Sequence, residues 1–182
     1  MSLPDVPIIE TQRLILRGHT LEDFPQMVDI WSDPVVQKHF HGQSLSREDI
    51  WGKLLRQFGM WAALGYGMFA VEEKSSGVYV GMAGTFEVKR DIAVPVEGMP
   101  EAGWTFSAKV HGKGYATEAV RAALQWTDEK LHFLPIFCII APANMPSIRV
   151  AEKCGFERWC ETSYKGDPTL VFRRARQGGE AV

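Results

Sequence analysis

A glycine-rich turn, Val110-His-Gly-Lys-Gly-Tyr-Ala-Thr-Glu118, separates a strand-like run from a helix-patterned one and limits the arrangements open to both. The strand-like run is Glu101 to Ser107. The helical run extends from about Tyr115 to Leu131, with Ala116, Ala119, Val120, Ala123 and Leu124 on one face. Gly112 and Gly114 remove side chains where the chain turns and permit positive φ. The first N–H groups of a helix lack intrahelical acceptors and point outward with the positive end of its dipole. Such a turn suits a phosphate or pyrophosphate. A plain strand-to-helix turn, with Lys113 a solvated side chain, fits the same residues. A P-loop does not, because Lys113 lies between the glycines with no Ser or Thr beside it. A dinucleotide fingerprint fails as well: Thr117 stands where its third small residue belongs, and no βαβ unit opens the chain.

The rest of the chain reads as a mixed α/β domain. Arg13 to Arg17 predicts a first strand. Leu21, Phe24, Met27, Val28 and Trp31 predict a helix face, broken at Asp33-Pro34. Ser46, with acids in the following turn, predicts a helix start, and the helix runs to about Leu64 and stops at Gly65. Trp51, Leu54, Leu55, Phe58 and Trp61 form one face, expected in the core rather than as a binding box. Tyr66 to Glu72 and Val78 to Val88 read as a hairpin turning at Lys74 to Gly77, and Lys89 to Pro100 as a loop. Pro135 to Ile140 reads as a strand, Asn144 to Cys154 as a short helix ending at Gly155. Phe156 to Tyr164 and Thr169 to Arg174 close the chain as a hairpin around Gly166-Asp167-Pro168.

Composition narrows the function classes. The 182 residues carry 20 Lys plus Arg against 22 Asp plus Glu, for a formal charge of −2. That balance argues against a broad grip on nucleic acid and leaves room for a local anion site. Cys138, Cys154 and Cys160 are odd in number and form no C-x-x-C pair, so neither a disulfide framework nor a zinc site is expected. His39-x-His41 lacks a third ligand, and no metal is expected. The N-terminus lacks a basic segment followed by an apolar one, and no run approaches the ~18 apolar residues of a membrane span. A cytoplasmic location, with no membrane partner, is the expectation.

About thirty residues after the glycine turn comes Asn144-Met-Pro-Ser-Ile-Arg-Val-Ala-Glu-Lys-Cys-Gly-Phe156. Together the two segments closely resemble the GNAT superfamily of acyl-CoA-dependent N-acetyltransferases. The opening Glu10-Thr-Gln-Arg-Leu-Ile-Leu-Arg17, with Asp23 and Ser32-Asp-Pro34, resembles the RimJ/RimL-type branch of ribosomal-protein N-terminal acetyltransferases. The resemblance covers about residues 8 to 174, so residues 1 to 182 are read as one acyltransferase domain. It implies a mixed, mostly antiparallel seven-stranded sheet with helices on both faces and with the fourth and fifth strands, about Glu101–Ser107 and Pro135–Ile140, splayed apart. Acetyl-CoA would be the cosubstrate. Its pantetheine would bond to free backbone of the fourth strand at Trp104, Thr105 and Phe106. Its pyrophosphate would sit on the turn His111, Gly112, Lys113, Gly114, Tyr115, Ala116 and Thr117. Gly114 and Ala116 match the family's last two motif positions, and His111 stands where Gln or Arg is commonest.

The resemblance also implies roles. Glu101 is the candidate base, or else a strand-edge carboxylate in solvent. Ser147 is the candidate proton donor to the leaving thiolate, a cofactor contact, or a first-turn helix hydroxyl. Asn144 is a cofactor contact, a helix N-cap, or both. Tyr164 stands near the acceptor or in the core. An α-amine titrates near 7.7–8.0 and lysine near 10.4, so an α-amine needs only a weak base at neutral pH. The branch resemblance implies a peptide or protein N-terminal amine as the leading acceptor, attacking directly in a ternary complex. The alternatives are a small amine such as a polyamine or amino sugar, which Glu87, Asp91, Glu97 and Glu101 would attract, and a non-catalytic acyl-CoA sensor. Such proteins are expected as monomers or homodimers.

Overall fold

The computed structural model describes residues 5–38, 45–131 and 135–175. Their strands form one sheet in the order β1-β2-β3-β4-β5-β6-β8-β7. β1 is Ile9–Glu10, β2 Leu14–Arg17, β3 Met68–Glu73, β4 Val78–Phe86, β5 Glu101–Phe106, β6 Ile136–Ile140, β7 Glu157–Tyr164 and β8 Asp167–Arg174. Every neighbouring pair is antiparallel except β5 and β6. The sheet has eight strands where the sequence predicted seven. The extra one, β1, has two residues, too few for an alternating pattern to reveal.

Helices cover both faces. α1 (Phe24–Ser32), α2 (Pro34–Gln37) and α3 (Arg47–Leu64) lie on one, and α4 (Tyr115–Lys130) and α5 (Met145–Lys153) on the other. The strand β3 shows why both faces are buried. Met68 and Ala70 join the core under α1 and α3, while Phe69 and Val71 join the core under α4. Alternate residues point to opposite faces, so a continuous apolar strand needs cover on both sides.

Local chemistry sets the helix ends. Ser46 Oγ accepts from the Asp49 N–H at 3.1 Å and the Asp49 carboxylate accepts from the Ser46 N–H at 2.9 Å, a reciprocal cap at the start of α3. Gly65 ends it at φ 72°. Other boundaries differ from expectation. Pro25 stands in the first turn of α1, where its missing N–H costs nothing, so the helix begins at Phe24 and Leu21 is left 54% exposed on a 3₁₀ turn. Asp33-Pro34 ends α1 and also starts α2, with the Asp33 carboxylate accepting from the Val35 N–H at 2.8 Å. On α3, Leu54 and Trp61 are buried as expected, but Trp51 and Leu55 are exposed; Ile50, Gln57 and Met60 complete the buried stripe. The final hairpin turns at Lys165-Gly166, φ 53° and 89°, a two-residue reversal. Asp167 and Pro168 therefore lie in β8, paired with Tyr164 and Ser163, rather than in the turn. β6 pairs with β8 from Leu170 onward, so no N–H is missed at Pro168 on that side.

One helix connects the two halves of the sheet. α4 packs on β2, β4 and β5 through Ala119, Val120, Ala123 and Leu124. On the other half, Asp128 of α4 accepts two hydrogen bonds from Arg174 of β8, at 2.7 and 2.5 Å, both residues being buried. Removing one partner of such a pair leaves an uncompensated buried charge, whereas replacing both by apolar groups is often neutral. Asp128→Ala should therefore lower unfolding free energy by ~3–5 kcal/mol. Asp128→Leu combined with Arg174→Met should recover most of that loss, as read from denaturant unfolding of each variant.

Candidate active site

The strands β5 and β6 meet at one register pair, Glu101 with Phe137, and a bond of 3.2 Å from the Phe137 N–H to the Pro100 carbonyl. Beyond it they part. The backbone of β5 alternates between its neighbours. Ser107 donates to the Val80 carbonyl of β4 at 2.9 Å, and by that register Thr105 and Gly103 also turn to β4. Ala102, Trp104 and Phe106 then direct their N–H and C=O groups into the gap. Of the strand residues expected to meet a ligand, Trp104 and Phe106 offer backbone there, while the backbone of Thr105 is taken up by β4. The Phe106 carbonyl is 3.1 Å from His111 Nε2, so His111 binds back onto the strand.

The glycine turn follows the open end of β5. The His111 and Lys113 N–H groups close the turn onto the Ala108 and Val110 carbonyls at 3.2 and 3.3 Å. Gly114, at φ 82°, is the residue before α4, and no side chain caps that helix. The N–H groups of Gly112, Gly114, Tyr115, Ala116 and Thr117 have no acceptor among the described residues. An exposed helix start with several free donors and no competing side-chain oxygen favours an anion. The acid of the first turn, Glu118, is held away from it. Its carboxylate accepts from Thr11 Oγ1 at 2.6 Å, the Arg13 N–H at 2.8 Å and Arg13 Nε at 2.7 Å. Arg13 also donates from Nη1 to the Lys113 carbonyl at 2.8 Å and lies 4.6 Å from the centre of the Tyr115 ring. The Tyr115 hydroxyl donates to Glu73 at 2.6 Å. Arg13 thus straps the turn to the far end of β2, a role the sequence did not reveal. Its signal was present in the Arg-Leu-Ile-Leu-Arg opening, and its partner lies 105 positions away.

A second helix start stands at the same end of the gap. β5 and β6 are parallel, so α5, which follows β6, begins beside the open end. Asn144 caps α5, its Oδ1 accepting from the Ser147 N–H at 3.2 Å. The capping role is therefore real, and the Asn144 amide N–H groups stay available. The Ser147 hydroxyl is half-buried and has no partner among the described residues.

At the closed end lies Glu101, 4% exposed. It is not the solvated carboxylate that one reading of the sequence allowed. Arg90 donates to both its oxygens, from Nε at 2.5 Å and Nη2 at 2.7 Å. Burial pushes the Glu101 carboxyl above its ordinary range, and Arg90 opposes that shift. The guanidinium of Arg90 also lies 4.8 Å from the centre of the Tyr164 ring. Glu101 and Tyr164 are thus brought together through a residue that looked like part of a featureless loop. The acidic run before β5 is correspondingly less acidic than it reads: Glu87 is paired with Lys89 and accepts from the Tyr66 hydroxyl at 3.3 Å. No hydrogen bond joins Ser147 to Glu101, whose carboxylate is bonded by Arg90.

The three cysteines are free. Burial pushes the Cys154 thiol up to about 11 and the Cys138 thiol well above its ordinary value, so neither is a ready nucleophile at neutral pH. Among the described residues no group of three His, Cys, Asp or Glu side chains is gathered for a metal, and no helix is long and apolar enough to cross a membrane. His39 and His41 lie outside the described residues.

Comparison with known proteins bears on this arrangement. The family described as Acetyltransferase (GNAT) domain matches residues 13–157. The uncharacterized protein YkkB of Bacillus subtilis (strain 168) is 30% identical over 151 residues, which is 80% of this chain and 81% of YkkB. The crystal structure of an acetyltransferase from Agrobacterium tumefaciens str. C58 superposes with a TM-score of 0.79 at 26% identity, covering 93% of this chain and 94% of that one. In fold alone, at 15% identity and a TM-score of 0.75, the chain is also similar to RimL, a ribosomal L7/L12 alpha-N-protein acetyltransferase crystallised with coenzyme A, covering 95% of this chain and all of that one. An open sheet split beside an uncapped helix start, matched by this family over most of its length, identifies the chain as a member of the GNAT acetyltransferase family and an acyltransferase.

Proposed function

We propose that this protein moves the acetyl group of acetyl-CoA to a primary amine by direct attack in a ternary complex, and that its favoured acceptor is the N-terminal amine of a peptide or protein. The observation that carries the cofactor half is the continuity of the open β5 edge with the uncapped start of α4. In this reading the pyrophosphate rests on the N–H groups of Gly112 and of Gly114 to Thr117, and Lys113 adds an exposed positive charge. The pantetheine lies along Trp104 and Phe106, with the Asn144 amide as a further donor. Five residue steps from Phe106 back to Glu101 span about 17 Å of strand, enough to carry an extended arm from the phosphate turn toward the closed end.

The chemistry asks little of a base. At neutral pH roughly 10–20% of an α-amine is already uncharged. A carboxylate offers about four lone-pair sites, and Arg90 takes two of those on Glu101, so the other two can hold a water that receives the amine proton. The amine lone pair forms the C–N bond, the C–S bond of the thioester breaks, and the sulfur takes a proton, for which Ser147 is the proposed donor. The preference for a protein N-terminus rests on the RimJ/RimL-like opening of the chain and on the small demand of such an amine for a base.

The decisive measurement is loss of thioester from acetyl-CoA with a panel of peptides and small amines, followed by product mass. Peptide N-termini are expected to be acetylated, polyamines and amino sugars poorly or not at all. Tight acetyl-CoA binding with no product from any amine would establish the sensor alternative instead. Gly114→Val forces a branched side chain into a left-handed position and against Arg13, where a Cβ would already stand 3.4 Å from Nη2. It should weaken acetyl-CoA binding by about tenfold or more, equivalent to ~1.4 kcal/mol, in calorimetric titration of the folded variant. Ser147→Ala should lower kcat by about 100-fold with little change in acetyl-CoA affinity. A loss confined to affinity would make Ser147 a cofactor contact.

A further inference from the structure

Positive charge gathers at the closed end of the gap from three separate segments. Lys53 comes from α3, with its Nζ 4.5 Å from the centre of the Trp31 ring. Arg90 comes from the loop before β5, and Lys165 from the tip of the β7–β8 hairpin. The Arg90 guanidinium and the Lys165 Nζ lie 4.8 and 5.6 Å from the centre of one ring, that of Tyr164. Burial lowers the pKa of Lys53, and the charges of Arg56, Arg90 and Lys165 push it the same way. Asp49 opposes them from one turn back on α3, but its carboxylate is already bonded to Ser46. Glu101 is engaged by Arg90. With Asp167 of the hairpin counted as well, the cluster stays net positive.

This charge stands where the acetyl group would be delivered if the pantetheine follows β5 from the phosphate turn, so its consequence concerns the acceptor. A positive surround disfavours an ammonium and favours its neutral, nucleophilic form. It repels a polycation. It attracts an acceptor that carries an anion beside its amine, because a carboxylate there meets cations already partly stripped of water.

We propose that the acceptor is an amine with a carboxylate close to it, the form an acidic peptide N-terminus or a free acidic amino acid presents, and that Lys165 binds that carboxylate beside the Tyr164 ring, with Lys53 adding to the positive field. Lys53 and Lys165 are specificity-determining residues in this scheme. The inference rests on the acetyl-transfer reading and goes beyond it by fixing the charge of the acceptor.

The test compares kcat/KM for three peptides that share an N-terminal Ala and carry acidic, neutral or basic residues at the next three positions, with free aspartate and glutamate as a fourth arm. The acidic peptide is expected to exceed the basic one by at least about tenfold at low salt, with the ratio falling as ionic strength rises. Lys165→Glu, at an exposed hairpin tip, should shrink that ratio by about tenfold while the acetyl-CoA Kd stays as it was. Lys53→Gln should act in the same direction. Turnover of free aspartate or glutamate above the acidic peptide would keep the charge rule and name the amino acid as its source. Equal rates on acidic and basic peptides, or a preference that Lys165→Glu leaves unmoved, would overturn the inference while leaving acetyl transfer intact. No product from any amine would remove both.

Discussion

The sheet of this protein stops pairing in its middle. Backbone groups buried without partners are costly, and a continuous sheet avoids that cost by bonding every strand to two neighbours. Here β5 and β6 share one register pair and then separate, so the edge of β5 is left to bond something else. Such a break is tolerable because the two halves are held by other means. α4 lies across the gap with its small apolar face on β2, β4 and β5, and the buried Asp128–Arg174 pair fixes its far end to β8. The Arg121 guanidinium adds bonds of 2.7 and 3.2 Å to the Lys153 carbonyl at the end of α5. The two sides of the opening are thus held by packing and hydrogen bonds outside the sheet.

The same helix opens with free N–H donors, and the electrostatics of that start depend on where the nearby carboxylate goes. Glu118 in the first turn would partly cancel the positive end of α4 if it faced solvent there. Thr11 and Arg13 draw it toward β2. At the opposite end of the gap Arg90 does the corresponding work on Glu101, and with Tyr164 it joins the loop before β5 to the last hairpin. Each end of the gap is therefore organised by one arginine from a distant part of the chain. The two arginines differ in consequence. Arg13 draws a carboxylate away from a helix start, whereas Arg90 moderates a carboxylate beside further cations.

Much of the fold is legible locally. The caps at Ser46 and Asn144, the stops at Gly65 and Gly155, and the small-residue face of α4 are contained within a few consecutive positions, and each element formed where those positions place it. The misses have equally local reasons. Pro25 shortened α1 from the front, and Lys165 accepted a positive φ that moved the last turn two residues upstream of Pro168. The two-residue β1 carried too few side chains to show a period.

By itself the sequence determined the element order, the glycine turn, the capped start of α5 and the family these motifs resemble, because each depends on neighbours along the chain. Tertiary structure alone decided which groups face the gap. It turned Thr105 toward β4 and joined Arg13 to Glu118 and Arg90 to Glu101. It also assembled Lys53, Arg90 and Lys165 from three segments into one positive cluster. An acid-rich run of sequence could suggest a cationic acceptor. In the fold two of those acids are paired with cations, Glu87 with Lys89 and Glu101 with Arg90, because electrostatic interaction depends on distance in space rather than separation along the chain.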